Sequence, residues 1–88
     1  MLEKTITLKN ASGLHARPGS GLASIAYKYK STITLLSNGK EINAKEVLDI
    51  LSANISLGDD VKIIIEGIDA KEAMEEISAY INSLGENE

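Results

Sequence analysis

Thr32-Ile33-Thr34-Leu35-Leu36-Ser37-Asn38-Gly39-Lys40-Glu41-Ile42 is the stretch that decides the architecture. Polar and apolar residues alternate from Thr32 toward Leu36, the period of a strand with one buried face. Asn38 and Gly39 both tolerate positive φ, which a two-residue hairpin turn requires. A short returning strand, Lys40 to Ile42, follows. Strands joined this tightly are antiparallel, because a parallel pair needs a crossover of roughly a dozen residues or more. The sheet is therefore at least partly antiparallel, and the remaining elements must pack on it.

Upstream, Thr5-Ile6-Thr7-Leu8-Lys9 alternates in the same way and predicts a first strand; Asn10 to Leu14, with Ser12 and Gly13, reads as a loop. From Ala16 to about Tyr29, Pro18, Leu22, Ile25, Ala26 and Tyr29 lie at helical spacing. Proline is tolerated there because it falls in the first turn. Lys28 and Lys30 suit the negative end of the helix dipole. Downstream, Asn43-Ala44-Lys45-Glu46 has a capping-box pattern, and Val47, Leu48, Leu51 and Ile55 give a short helix one apolar face. Leu57-Gly58-Asp59-Asp60 is a turn, and Val61 to Glu66 is the most apolar strand, hence central. Asp69-Ala70-Lys71-Glu72 repeats the capping pattern, with Asp69 as cap, and Ala73, Met74, Ile77, Ile81 and Leu84 form the buried stripe of a last helix stopped by Gly85. The order β-α-β-β-α-β-α predicts an α+β fold, with helices on one face of the sheet and the other open to water. Thr5, Thr7, Thr32, Thr34, Lys62 and Glu66 supply a polar set for the open face.

The chain has 88 residues, enough for a single domain, 1–88, with one core. It lacks Trp and Phe, so aliphatic side chains must fill that core. Its net charge of −4 argues against nucleic acid, whose phosphates need clustered Lys and Arg. No cysteine is present, so there are no disulfides and no thiolate metal site, and no metal site is expected. No segment approaches the roughly 20 apolar residues of a membrane span, and Met1-Leu2-Glu3-Lys4 opens no signal-like apolar run. A cytoplasmic, monomeric protein is the expectation.

The chemistry concentrates in Gly13-Leu14-His15-Ala16-Arg17-Pro18, which holds the only histidine, the only arginine and the only proline. Histidine is a neutral nitrogen nucleophile near neutral pH. Arginine is a permanent forked cation suited to phosphate. The helix start adds unpaired N–H groups and the positive end of the dipole. Together they describe a place where phosphate is held and covalently carried. Pro18 reads as structural, fixing the first turn, and Gly13 as a turn residue.

This run, within this order of elements, resembles the HPr family, the histidine-containing phosphocarriers of the bacterial sugar phosphotransferase system. Asn38-Gly39-Lys40, Asn43-Ala44-Lys45 and Gly58-Asp59-Asp60 match that family more weakly. The resemblance implies an open-faced β-sandwich in which three helices cover one face of a four-stranded antiparallel sheet. It implies a carrier rather than an enzyme, without cofactor. His15 would accept phosphate on Nδ1 from phosphorylated enzyme I, itself charged by phosphoenolpyruvate, and pass it to enzyme IIA components of sugar permeases. Arg17 would assist the charge balance, and the N–H groups of Ala16 and Arg17 would cradle the anion. Ser20, Ser24, Val47, Leu48 and Leu51 would dock partners, regulatory proteins among them. A stripe such as Val47, Leu48 and Leu51 is also what a buried helix face looks like, so core and docking readings both stand.

The chain departs from the family at three places. Glu46 replaces a serine that many relatives have phosphorylated by a dedicated kinase; it either completes the capping box with Asn43 or partly imitates the phosphorylated state. Gly19-Ser20-Gly21 stands where relatives often carry alanine at position 19, which either loosens the first turns or permits a close approach. Asp49 adds negative charge where a small residue is common. Two other function classes compete with the carrier. A regulatory module of the same fold is expected to lack the histidine. An acyl-phosphate hydrolase would need an asparagine converging with Arg17 on one phosphate, and nothing marks Asn10 or Asn38 for that.

Overall fold

The computed structural model describes residues 1–85; residues 86–88 of the expected domain span lie outside it. The elements are β1 (Leu2–Thr7), α1 (Ala16–Tyr27), β2 (Thr32–Ser37), β3 (Lys40–Asn43), α2 (Val47–Ser52), β4 (Asp60–Glu66) and α3 (Ala70–Leu84). The four strands form one antiparallel sheet in the order β1-β4-β2-β3, so Val61 to Glu66 is central as its apolar content required. Asn38 and Gly39 take φ of 54° and 74°, which makes the hairpin turn as their identities dictate.

Ile33 and Leu35 on β2 and Val61, Ile63 and Ile65 on β4 point into the core. There they meet Leu22 and Ala26 of α1, Ile50 of α2, and Ala73, Ile77 and Ile81 of α3, all nearly inaccessible. On the opposite face lie Thr5, Thr7, Thr32, Thr34, Lys62 and Glu66, with Lys62 bridged to Glu3 at 3.1 Å. Ile64 and Leu36 share this face and stay half-buried among the polar neighbours.

Several boundaries differ from the expectation: β2 and β3 run one residue longer, β4 starts one residue earlier at Asp60, and α2 ends at Ser52, so Ile55 is buried in the loop beyond the helix whose face it was expected to complete. β1 begins at Leu2 and ends at Thr7, not Thr5 to Lys9. Its first residues lie exposed on an edge strand and carry no apolar alternation, yet they pair with β4 from Leu2–Ile65 to Thr7–Asp60. Leu8 has already left the ladder: its N–H donates to the Asp59 carbonyl and its own carbonyl accepts from Gly58 N–H, both at 2.9 Å. α1 ends at Tyr27; Tyr29 lies beyond it, its hydroxyl donating to Glu76 and its carbonyl accepting from Lys45 Nζ at 2.7 Å.

Neither capping box forms. Asn43 Oδ1 accepts from Lys45 N–H at 3.0 Å, and Asp49, one turn further on than Glu46, accepts from Asn43 N–H at 2.9 Å. α2 therefore starts at Val47, with Glu46 as an N-cap whose side chain makes no capping bond. Asp69 caps α3 only by backbone position. Its carboxylate accepts instead from Lys30 N–H at 2.8 Å, Ser31 N–H at 2.9 Å and the Ser31 hydroxyl. Ser31 is 1% exposed, and buried donors without water demand a partner more strongly than the helix end does. The Ser31 hydroxyl first, then Lys30 N–H, hold the Asp69 carboxyl below its ordinary range. A depressed carboxyl contributes stability that is fully present above its unfolded pKa and is lost as pH falls through the folded value. Asp69→Ala is expected to lower the urea midpoint at pH 7 and to shrink the difference between pH 7 and pH 3, read by urea unfolding at both.

Candidate functional site

The histidine loop is built by clamping residues 8–14 onto residues 55–59. Besides the two bonds at Leu8, Leu14 N–H donates to the Ile55 carbonyl at 3.0 Å, and the Leu14 side chain is 2% exposed. Gly13 takes φ of +59°. A Cβ there would lie 2.3 Å from the Ile55 carbonyl oxygen, so the two loops can touch only because position 13 has no side chain. Asn10, 1% exposed, closes the loop from within: its carbonyl accepts from Gly13 N–H at 3.2 Å and its Nδ2 donates to the Gly13 carbonyl at 2.7 Å. The sequence marks Asn10 only as the start of a loop; the one signal of its inward role is a polar residue three positions before the turn glycine. The Asn10 amide nitrogen is spent on the loop, and that of Asn38 on Asp59 at 3.0 Å, so neither donor is directed at Arg17.

This clamp delivers His15 as the N-cap of α1, with extended backbone (φ −79°, ψ −163°). Its imidazole is exposed and makes no capping bond. Gly19 N–H donates to the His15 carbonyl at 2.7 Å, the first bond of the helix. Of the three N–H positions before it, Pro18 has no hydrogen, which leaves those of Ala16 and Arg17. Both residues are exposed, and the first turn contains no acidic side chain. Arg17 is paired with no carboxylate among the described residues. The site thus presents a free imidazole, two helix-end N–H groups and an uncommitted guanidinium on one turn of chain, an arrangement suited to a phosphoryl group.

The five expected docking residues fall along α1 and α2. Ser20 and Ser24 are exposed on α1, and with Tyr27, Lys45, Glu46 and Val47 they line a shallow depression between the helices. Leu48 is 74% exposed, whereas Val47 and Leu51 are half-buried, so the stripe is divided between surface and core. Gly19 is resolved as a close approach: a Cβ there would press on the Leu14 carbonyl and Leu51 Cδ2, both at 3.3 Å. Asp49 is absorbed by its bond to Asn43.

The family model for the PTS HPr component phosphorylation site matches residues 2–83. The HPr-like protein Crh of Halalkalibacterium halodurans is 37% identical over 81 residues, covering 92% of this chain and 96% of that protein. The multiphosphoryl transfer protein of Haemophilus influenzae is 37% identical over 87 residues, covering 94% of this chain but 17% of that protein. Among solved structures, HPr-C-His from Thermoanaerobacter tengcongensis superposes with a TM-score of 0.94 at 39% identity, over 100% of this chain and 99% of that one. An HPr dimer from the same organism gives a TM-score of 0.75 at 40% identity, over 94% of this chain and 95% of that one. Sheet and helices are those of the HPr phosphocarrier structures. The chain belongs to the HPr family of the phosphotransferase system.

Proposed function

We propose that this chain carries a phosphoryl group on Nδ1 of His15, accepted from phosphorylated enzyme I and passed to enzyme IIA components of sugar permeases. The observation that carries the reading is the exposed, uncommitted His15 at the head of α1, beside the free N–H groups of Ala16 and Arg17. In the transfer the Nδ1 lone pair attacks phosphorus. The bond from phosphorus to the donor nitrogen breaks, and its electron pair returns to the donor. Nothing is oxidised or reduced. Phosphoryl transfer asks chiefly for position and charge stabilisation, and Arg17 with the two N–H groups supplies both where the phosphoryl oxygens lie. Ser20, Ser24, Val47, Leu48 and Leu51 form the docking face, with exposed Leu48 as its apolar anchor. The protein acts in the cytoplasm as a monomer, which gel filtration of the untreated chain tests. The experiment for the function is incubation with enzyme I and labelled phosphoenolpyruvate, followed by addition of an enzyme IIA protein. Acid-labile label that the second protein discharges is the expected result; no label refutes the reading.

Glu46 takes the place of the regulatory serine, and a carboxylate cannot accept that phosphate. Its side chain makes no capping bond at the start of α2, and a single exposed carboxylate carries less charge than the about −1.5 to −2 of a phosphate. Glu46→Ser is therefore expected to change the transfer rate less than about twofold and the stability by less than about 0.5 kcal/mol. A large gain in transfer rate would show instead that Glu46 holds the docking face in a partly repressed state.

A further inference from the structure

We propose that Tyr80, on α3, is a positioning residue for the histidine site, acting through a hydrogen-bond chain that ends on the main chain of His15. Its hydroxyl donates to the Pro18 carbonyl at 3.1 Å. That carbonyl belongs to the same peptide as Gly19 N–H, which donates to the His15 carbonyl at 2.7 Å. Two hydrogen bonds and one peptide unit thus join Tyr80, 62 positions beyond Pro18 in sequence, to the backbone of the phosphoryl-bearing histidine.

Hydrogen bonds in series polarise one another: a donor on a peptide carbonyl makes the N–H of that peptide a better donor. The bond so reinforced is the first of α1. It sets where the helix begins and so the direction of the Ala16 and Arg17 N–H groups. Helix ends fray unless something holds them. Tyr80 holds this one from outside the helix, through the Pro18 carbonyl.

Gly21 is what admits the tyrosine. A Cβ at position 21 would lie 2.1 Å from Tyr80 Oη and 2.8 Å from its Cζ. The glycine costs about 1 kcal/mol of helix propensity relative to alanine, and the turn of α1 above it is covered by the phenol instead. The Tyr80 ring packs against the core, and burial raises its phenol pKa, so the hydroxyl stays a donor across the neutral range. The role of Tyr80 in transfer rests on the phosphocarrier reading, whereas the hydrogen-bond chain itself does not.

The test uses Tyr80→Phe, which removes only the hydroxyl, and Gly21→Ala, which displaces it. Amide exchange in the unphosphorylated protein should quicken about fivefold at Gly19 in both variants, the loss of one ordinary hydrogen bond. Ile63, on the central strand, should keep its rate, because it reports global opening. Acceptance of phosphate from enzyme I should slow several-fold in both. Equal changes at Gly19 and Ile63 would reduce Tyr80 to a packing residue, and no change at Gly19 would refute the chain outright. Wild-type and Tyr80→Phe proteins labelled at the same rate would refute the positioning role. If the wild type accepts no label, the phosphocarrier reading fails and the role in transfer with it, while exchange still decides whether Tyr80 orders the turn.

Discussion

His15→Ala is expected to abolish acid-labile labelling by enzyme I and phosphoenolpyruvate while leaving the fold intact. His15 is the only histidine, so no second imidazole can take over. Arg17, Ala16 and the helix end would remain, but they stabilise a transferring group without offering a nucleophile. The fold should survive because the imidazole is exposed and makes no capping bond. The cap is provided by the backbone, whose carbonyl still receives Gly19 N–H. A stability change within about 0.5 kcal/mol follows, as for surface positions without special contacts. Label retained in a well-folded His15→Ala protein would move the phosphoryl site elsewhere on the chain. Label lost together with the cooperative urea transition would show that His15 is structural.

Gly13→Ala is the largest expected loss of stability near the site. At φ +59° an alanine is strained by roughly 1–2 kcal/mol. The larger problem is steric: its Cβ would lie 2.3 Å from the Ile55 carbonyl oxygen and 2.8 Å from Ser56 Cα. Both are backbone atoms, so relief requires one loop to move off the other. That movement breaks the Leu14–Ile55 bond and disturbs both contacts between Asn10 and Gly13. A loss of about 3 kcal/mol, in the upper part of the usual range for single substitutions, is the expected outcome in urea unfolding. Phosphate acceptance should fall as well, since the same loop delivers His15 to the helix start. A Gly13→Ala protein within about 0.5 kcal/mol of wild type would mean that the clamp is not what holds the site.

Two regions show where the sequence could and could not be read. The hairpin was legible because turn chemistry is local: Asn38 and Gly39 have few alternatives to positive φ, and the flanking alternation has only one buried side. The capping patterns at Asn43 and Asp69 were equally regular, yet neither operates. Asp69 serves Lys30 and Ser31, 39 and 38 positions earlier in the chain, and Asp49 serves Asn43 across the β3–α2 turn. A short polar side chain takes whichever buried donor the fold brings closest, and that is settled after the elements pack.

The same division runs through the site. By itself, the sequence determined that His15, Arg17 and Pro18 stand together at a helix start after a glycine turn, because those residues are neighbours in the chain and their chemistry is intrinsic. It determined the order of elements by periodicity and turn chemistry, and the aliphatic nature of the core by composition. Only the tertiary structure decided that Gly13 is a contact surface for Ile55, that Asn10 turns inward, that Leu48 faces solvent while Val47 and Leu51 are half-covered, and that Gly21 makes room for Tyr80. Each of these depends on what lies opposite a residue, supplied by a segment distant in sequence, and periodicity along one strand or helix carries no information about the neighbour it meets.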